Sequence, residues 1–316
     1  MPTFGEAAKA YIASHEAGWR NEKHRAQWHQ TIRDYANPRI GKKPIDEVTV
    51  DDIIAILKPI WTDKPETASR LRGRLERIIG WAIAMGHRSD ASPAGMEIVR
   101  HLLPPIGKVR RVEHHVAVPW AEVPALVAEL QKRESVSAKS LTFTILTAVR
   151  TGEVIGARWD EIDLSARTWT IPAERTKAGR EHRVPLSDAA VAVLESVDGD
   201  RNGYVFPGPK LGRPLSNMAM LQLLRKMRGD GSTVHGFRSS FRDWCGERGV
   251  PREVAEAALA HVVQNKAEAA YARSDLLERR RSLMEEWARH CTSGVAKYSG
   301  PASREADQRR PVMSRL

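Results

Sequence analysis

Hydrophobic residues recur with helical spacing over most of this chain. Phe4, Ala7, Ala8, Tyr11 and Ile12 share one face of a first helix running to about His15, and Thr3 with Glu6 makes the capping box that starts it. Trp28, Ile32 and Tyr35 form the inner stripe of a second helix over about residues 21–35, before Asn37-Pro38 and Gly41 break the chain. Thr49, with Asp52 in the box position, opens a third helix that Pro59 should end soon after. Asp63 and Glu66 bracket the start of a fourth, which runs to about Met85 and turns Leu71, Leu75, Ile78, Ile79 and Ala82 to the core. Pro93, Pro104, Pro105, Gly107 and Pro119 then interrupt regular structure.

Beyond Pro119 the period changes. Helices near 120–133 and 140–148 precede short runs in which Trp169, Ile171 and Val184 alternate with polar neighbours. That alternation predicts a small antiparallel sheet, with Lys177-Ala178-Gly179 at its hairpin turn. Helical spacing returns over about 188–197, 215–227, 235–247 and 275–290. In the last of these Leu276, Leu283, Met284 and Trp287 line one side. From Thr292 onward Ser, Gly, Pro and Arg predominate, which predicts a disordered tail. The expected fold is mainly α with a small antiparallel β-sheet. Residues 1–103 would be a helical domain, 104–118 a linker, 119–291 a second domain and 292–316 the tail.

A chain of 316 residues allows about two domains, and 41% hydrophobic residues supply a core. Fifty Lys and Arg against 39 Asp and Glu give a net charge of +11 and a pI of about 9.9, which points to a polyanionic partner. No apolar run approaches the ~20 residues of a membrane helix, and no signal peptide opens the chain, so nucleic acid is favoured over a membrane. Cys245 and Cys291 are the only cysteines, which suits a reducing, cytoplasmic setting. Neither zinc-type spacing nor a Walker loop nor GxGxxG occurs, so no cofactor or metal is expected. His114-His115 lacks a further ligand at useful spacing and reads as an exposed loop pair.

The chemistry concentrates between His235 and Tyr271. His235 and Arg238 form a His-x-x-Arg pair, His261 follows in Leu-Ala-His, and Tyr271 lies ten positions further on. A phenol ionises near pH ~10, so it attacks well only if its proton is removed and the charge growing on its target is held. Arginine's planar fork matches phosphate oxygens, so a phosphodiester suits this set. Upstream, Arg150 precedes Glu153 in TAVRTGEVIGARWDEIDL, and Lys177 lies in TWTIPAERTKAGREHRVPLS.

The order Arg150, Lys177, His235-x-x-Arg238, His261, Tyr271 resembles that of the tyrosine recombinases, the phage integrase family. The wording GARWDEIDL, RTKAGREHRVPLS, HGFRSSFRDW and LAHVVQNKAEAAYARSD looks most like integrases of satellite phages and genomic islands. The resemblance implies a four-helix, SAM-like core-binding domain followed by the recombinase catalytic domain. It implies that Tyr271 attacks DNA to form a 3′-phosphotyrosine. Arg150 and Arg238 would neutralise the phosphate, Lys177 would protonate the leaving 5′-oxygen, His235 would take or position the phenolic proton, and His261 would hydrogen-bond the phosphate. Both arginines are then expected to be removable with little change in melting temperature. Double-stranded DNA is the implied partner, held by a homo-tetramer on paired sites that is monomeric in solution, with accessory DNA-bending or excision factors.

Further cations are candidates for DNA. Arg70, Arg74 and Arg77 recur along the fourth helix, and net charge favours a DNA-facing row over a solvated stripe. Lys108, Arg110 and Arg111 make the linker basic, and Arg242 lies one turn beyond Arg238. Ala148 and Ala260 stand where the family often has glycine, a small-for-small change. Many relatives carry an arm-binding domain before the helical domain, whereas Met1 here falls just before a capped helix. That leaves either a protein working without arm sites or a shortened copy. The segment after Tyr271 would dock on a neighbouring protomer. A type IB topoisomerase and a DNA-binding remnant are the alternatives.

Overall fold

The structure, a computed structural model, describes residues 1–19, 22–105, 116–197, 201–261 and 274–294. Chain contacts divide the protein into two units, Met1–Glu113 and His114–Leu316.

In the first unit α1 (Phe4–His15) begins with both bonds of its capping box, and Phe4, Ala7, Ala8, Tyr11 and Ile12 are all buried. Helix α2 (Glu22–Thr31) runs through a π-turn at Ile32–Ala36 into α3 (Asn37–Ile40). Asn37-Pro38 therefore does not break the chain. Pro38 occupies the first turn of α3, where a missing N–H costs nothing and a fixed φ helps. Helix α4 (Val50–Trp61) opens with the Thr49–Asp52 box and continues past Pro59, which sits in its last turn. Helix α5 (Pro65–Ala84) buries Leu71, Leu75, Ile78, Ile79 and Ala82 completely. Among the described residues α3 and α6 (Met96–Leu102) add to the four helices expected.

In the second unit α7 (Val123–Gln131) packs on α8 (Val136–Thr147), and nearly every side chain of α8 from Ala138 on is buried. Its buried hydroxyls are satisfied one turn back: Thr144 donates to Ser140 O at 2.7 Å and Thr147 to Phe143 O at 2.7 Å. Helix α9 (Thr151–Ile155) leads to an antiparallel sheet of β1 (Ile162–Asp163), β2 (Thr168–Ile171) and β3 (His182–Pro185), in that order. Trp169 faces Val184 and Ile171 faces His182. Lys177 lies exposed on the β2–β3 turn, which Gly179 closes with a φ of 65°.

Helices α10 (Asp188–Glu195), α11 (Ala219–Arg228), α12 (Gly236–Glu247), α13 (Arg252–Ala258) and α14 (Leu277–Thr292) complete the unit. The apolar stripe of α14, expected to dock on a neighbouring protomer, packs on its own unit. Leu283, Met284 and Trp287 are buried in the unit's own core with Leu276 packed against it, and Trp287 Nε1 donates to Ile145 O at 2.8 Å. The indole thus has both its surface and its N–H satisfied within its own unit. The expected tail largely falls outside the described residues. Among those described, no helix is long and apolar enough to cross a membrane.

Candidate active site

Two helix ends build the site. Helix α8 stops at Ala148, which adopts the left-handed conformation with φ 52°. Helix α13 is followed by Leu259 and by Ala260, also left-handed at φ 49°. The two alanines standing where the family often has glycine are thus the two that need glycine's freedom. Each such end leaves carbonyls with no partner inside the helix and a partial negative charge.

Arg238 answers both ends. From the first turn of α12 its Nη1 donates to Ala148 O at 2.6 Å and its Nη2 to Leu259 O at 2.5 Å. The residue is 5% exposed. Burial, with Arg150 second, brings its pKa down to about 10, so it stays charged at neutral pH. Arg150 approaches the same place: its Nη2 donates to Ala260 O at 3.3 Å. Glu153 fixes it, accepting the Arg150 backbone N–H at 2.8 Å and Nη1 at 2.9 Å. Arg175 ties this corner to the hairpin, donating to Glu153 O at 2.6 Å and pairing with Glu161.

His261 emerges from the left-handed turn. Its Nε2 lies 3.1 Å from Arg238 Nη2 and its Nδ1 2.5 Å from Glu256 Oε2. His235 is exposed at the N-cap of α12, one turn before Arg238. That turn is clamped by the irregular stretch before α7. A Cβ on Gly236 would meet Val116 O at 2.6 Å, and Ser240 Oγ bonds Val118 O. Arg150, Arg238 and His261 therefore converge. Tyr271 lies outside the described residues, as do Lys108, Arg110 and Arg111.

One of the proposed DNA-facing arginines is placed otherwise. Arg74 is 5% exposed; it donates to Gln27 O at 2.8 Å, bonds Thr31 Oγ1, and stacks 5.2 Å from the Trp28 ring. It is an internal brace between α5 and α2, whereas Arg70 and Arg77 are exposed. Spacing 70, 74, 77 puts the middle residue nearer the core stripe, which periodicity alone did not resolve. Arg242 commits Nε to Glu256 Oε1 at 2.8 Å, which ties it into the site's network while its side chain stays 34% exposed.

Two residues escaped sequence reading. Glu256 is five positions before His261, the spacing at which a left-handed helix end brings side chains together. His182, on the strand after the Lys177 turn, is 9% exposed and bonds the Ala258 backbone. Its burial, then Arg280, Arg150 and Arg238, push its pKa down to about 4, so it sits neutral among guanidinium groups. Among the described residues no three His, Cys, Asp or Glu side chains converge as a metal would need.

Residues 118–277 match the phage integrase family and residues 4–98 the phage integrase central domain. The chain is 32% identical over 308 residues to prophage integrase IntZ of Escherichia coli K12, covering 96% of this chain and 74% of that protein. It is 29% identical over 320 residues to the integrase of Enterobacteria phage P4, covering 94% and 71%. A lambda integrase dimer bound to a core site superposes with a TM-score of 0.65 at 17% identity, over 83% of this chain and 96% of that one, which shows a shared fold. With its catalytic region and its central domain both matched, this chain belongs to the phage integrase family and is a tyrosine recombinase.

Proposed function

We propose that the chain binds double-stranded DNA and cuts and rejoins it at specific sites, integrating or excising a mobile element. Tyr271 is the nucleophile and forms the 3′-phosphotyrosine. Arg150 and Arg238 hold the phosphate, Lys177 protonates the leaving 5′-oxygen, His235 handles the phenolic proton, and His261 donates to a phosphate oxygen. The observation that carries this is the meeting of Arg150, Arg238 and His261 on two helix ends. Their guanidinium groups are charged, pre-positioned and backed by carbonyls, so little reorganisation is needed as charge grows on the phosphate.

Residues 1–103 grip the DNA core through cations such as Arg70 and Arg77, residues 104–118 link the domains with Lys108, Arg110 and Arg111 on phosphates, and residues 119–291 carry the chemistry. Lambda integrase forms a tetramer on a Holliday junction. By analogy this chain assembles as a homo-tetramer on paired sites, with accessory DNA-bending or excision factors. Because the phosphotyrosine keeps the phosphoester energy, rejoining needs no nucleotide.

A nicked suicide duplex tests this. Wild-type protein should become covalently attached to DNA, while Tyr271→Phe should bind the duplex and trap no adduct. Full adduct yield from the variant would remove Tyr271 from the reaction.

A further inference from the structure

Glu256 has no role in the chemistry set out so far, yet it sits where that chemistry is controlled. The chain reversal after α13 returns the His261 N–H to Glu256 O at 3.0 Å, with Ala260 left-handed between. This closed loop juxtaposes the side chains of its first and last residues. Here they are a carboxylate and an imidazole, 2.5 Å apart. The other Glu256 oxygen accepts Arg242 Nε at 2.8 Å, and Arg242 lies one turn beyond Arg238 on α12. A closed row results: Arg242, Glu256, His261, Arg238.

The row fixes a proton. A guanidinium only donates, so the His261 Nε2 facing Arg238 must accept. The ring proton is therefore on Nδ1, donated to Glu256. An incoming phosphate oxygen only accepts. When it draws the Arg238 N–H to itself, His261 Nε2 meets the phosphate with a lone pair unless it gains a proton.

We propose that Glu256 is a positioning residue that holds His261 in the Nδ1–H tautomer at rest and sustains its doubly protonated form once phosphate engages Arg238. The proposal rests on the phosphate-binding role of His261. One proton enters from solvent at Nε2, none leaves Nδ1, and the imidazolium then donates to phosphate and to Glu256 together.

The surrounding charge makes Glu256 necessary. Arg238 and Arg242 face the ring from α12, and Arg150 comes from the turn before α9 with Glu153 beside it. His182, on β3, is neutral above about pH 4. Three guanidinium groups oppose a fourth positive charge, and Glu153 is already committed to Arg150. Glu256 is well suited to oppose them. Burial raises its pKa, but bonds from His261 and Arg242 outweigh this and hold it below the ordinary value.

Single-turnover cleavage of the suicide duplex, followed over about pH 6 to 9 for wild type, Glu256→Gln and His261→Ala, tests the proposal. Glutamine keeps the acceptor and removes the charge. The alkaline limb of its profile should move toward acid by roughly one pH unit, with the acid-side rate nearly kept. A profile superimposable on wild type overturns the proposal. If His261→Ala is slow and Glu256→Gln is unshifted, only the role of Glu256 fails. If His261→Ala cleaves normally, the phosphate role of His261 fails and the proposal with it. Nitrogen NMR of ¹⁵N-histidine in the otherwise native Tyr271→Phe protein is independent of whether the Glu256 variant folds. His261 should show an Nδ1–H tautomer without DNA and two protonated nitrogens with it; an Nε2–H tautomer in the free protein overturns the proposal.

Discussion

Arg74 in α5 and Arg238 in α12 are buried to the same degree, each 5% exposed, and each guanidinium ends on backbone carbonyls. Burial and hydrogen bonding therefore do not separate a bracing arginine from a site arginine. What differs is the company. Arg74 meets a carbonyl, a threonine hydroxyl and the face of Trp28, while Arg70 and Arg77 on the same helix add positive charge nearby and, among the described residues, no carboxylate pairs with Arg74. Arg238 meets two helix ends and a histidine, with Arg150 adding positive charge and Glu153 and Glu256 negative charge around it. A buried arginine gathered with a histidine, a second arginine and two carboxylates is the kind of interacting titratable cluster that marks a functional site, and among the described residues Arg74 has no such cluster around it.

The sharpest break of this comparison is substitution of Arg238. Arg238→Ala should cut cleavage by roughly 10² or more, the scale of lost transition-state electrostatics. It should also lower unfolding free energy by about 3 kcal/mol, because two buried carbonyls lose their donors. This departs from the expectation that the site arginines act on phosphate with little effect on melting temperature. That expectation holds better for Arg150, whose side chain is 22% exposed and whose carbonyl contact is long. Normal cleavage by folded Arg238→Ala protein would erase the distinction from Arg74.

The converse is Arg74→Ala. It should lose about 2–3 kcal/mol of stability in the N-terminal unit through its carbonyl bond and the Trp28 stack. Cleavage per folded molecule should be unchanged. A folded Arg74→Ala protein whose only defect is weaker DNA affinity would return Arg74 to the DNA-facing row.

A third test uses acid. His182 is held neutral with its pKa near 4, while in the unfolded chain it titrates near the ordinary ~6.5. Above that value both forms are neutral and its contribution is fully present. As pH falls from about 6.5 to 4 the unfolded chain binds a proton that the folded chain refuses, and stability declines with a slope approaching about 1.4 kcal/mol per pH unit. Urea titrations across that window should show a shallower slope for His182→Gln, and equal slopes would show that burial and the arginines do not hold His182 neutral.

The smallest effect concerns the helix ends that Arg238 serves. Ala148→Gly and Ala260→Gly should each raise stability by about 0.5–1 kcal/mol, relief of left-handed strain exceeding the added chain entropy. A loss of stability at either position would mean that the alanine methyl packs better than its backbone suffers.

Much of this was legible beforehand, and the misses have definite causes. Core stripes in α1 and α5 followed from 3.6-residue spacing, and the sheet followed from alternation around Trp169 and Val184. The order of site residues was readable as a family pattern. Spacing failed where one residue in a polar row turns inward, as Arg74 does, because periodicity places a side chain on a face but not at a depth. It left α14 ambiguous, because an amphipathic stripe is the same whether it covers its own core or a neighbour's. Glu256 and His182 were invisible because their meaning lies in contacts across a helix reversal and between strand and helix.

The burial of Trp287 bears on how this enzyme comes into being. Its indole is packed with Phe241 and Trp244 and bonded to Ile145, so residues synthesised early wait for one synthesised late. The N-terminal unit closes its core with residues no later than Leu103 and is free to form while synthesis proceeds. The catalytic unit lacks its central aromatic group until α14 has left the ribosome. A nascent chain thus completes the core of its N-terminal unit before that of its catalytic unit, and a transcript broken ahead of α14 leaves the catalytic unit without its central aromatic group.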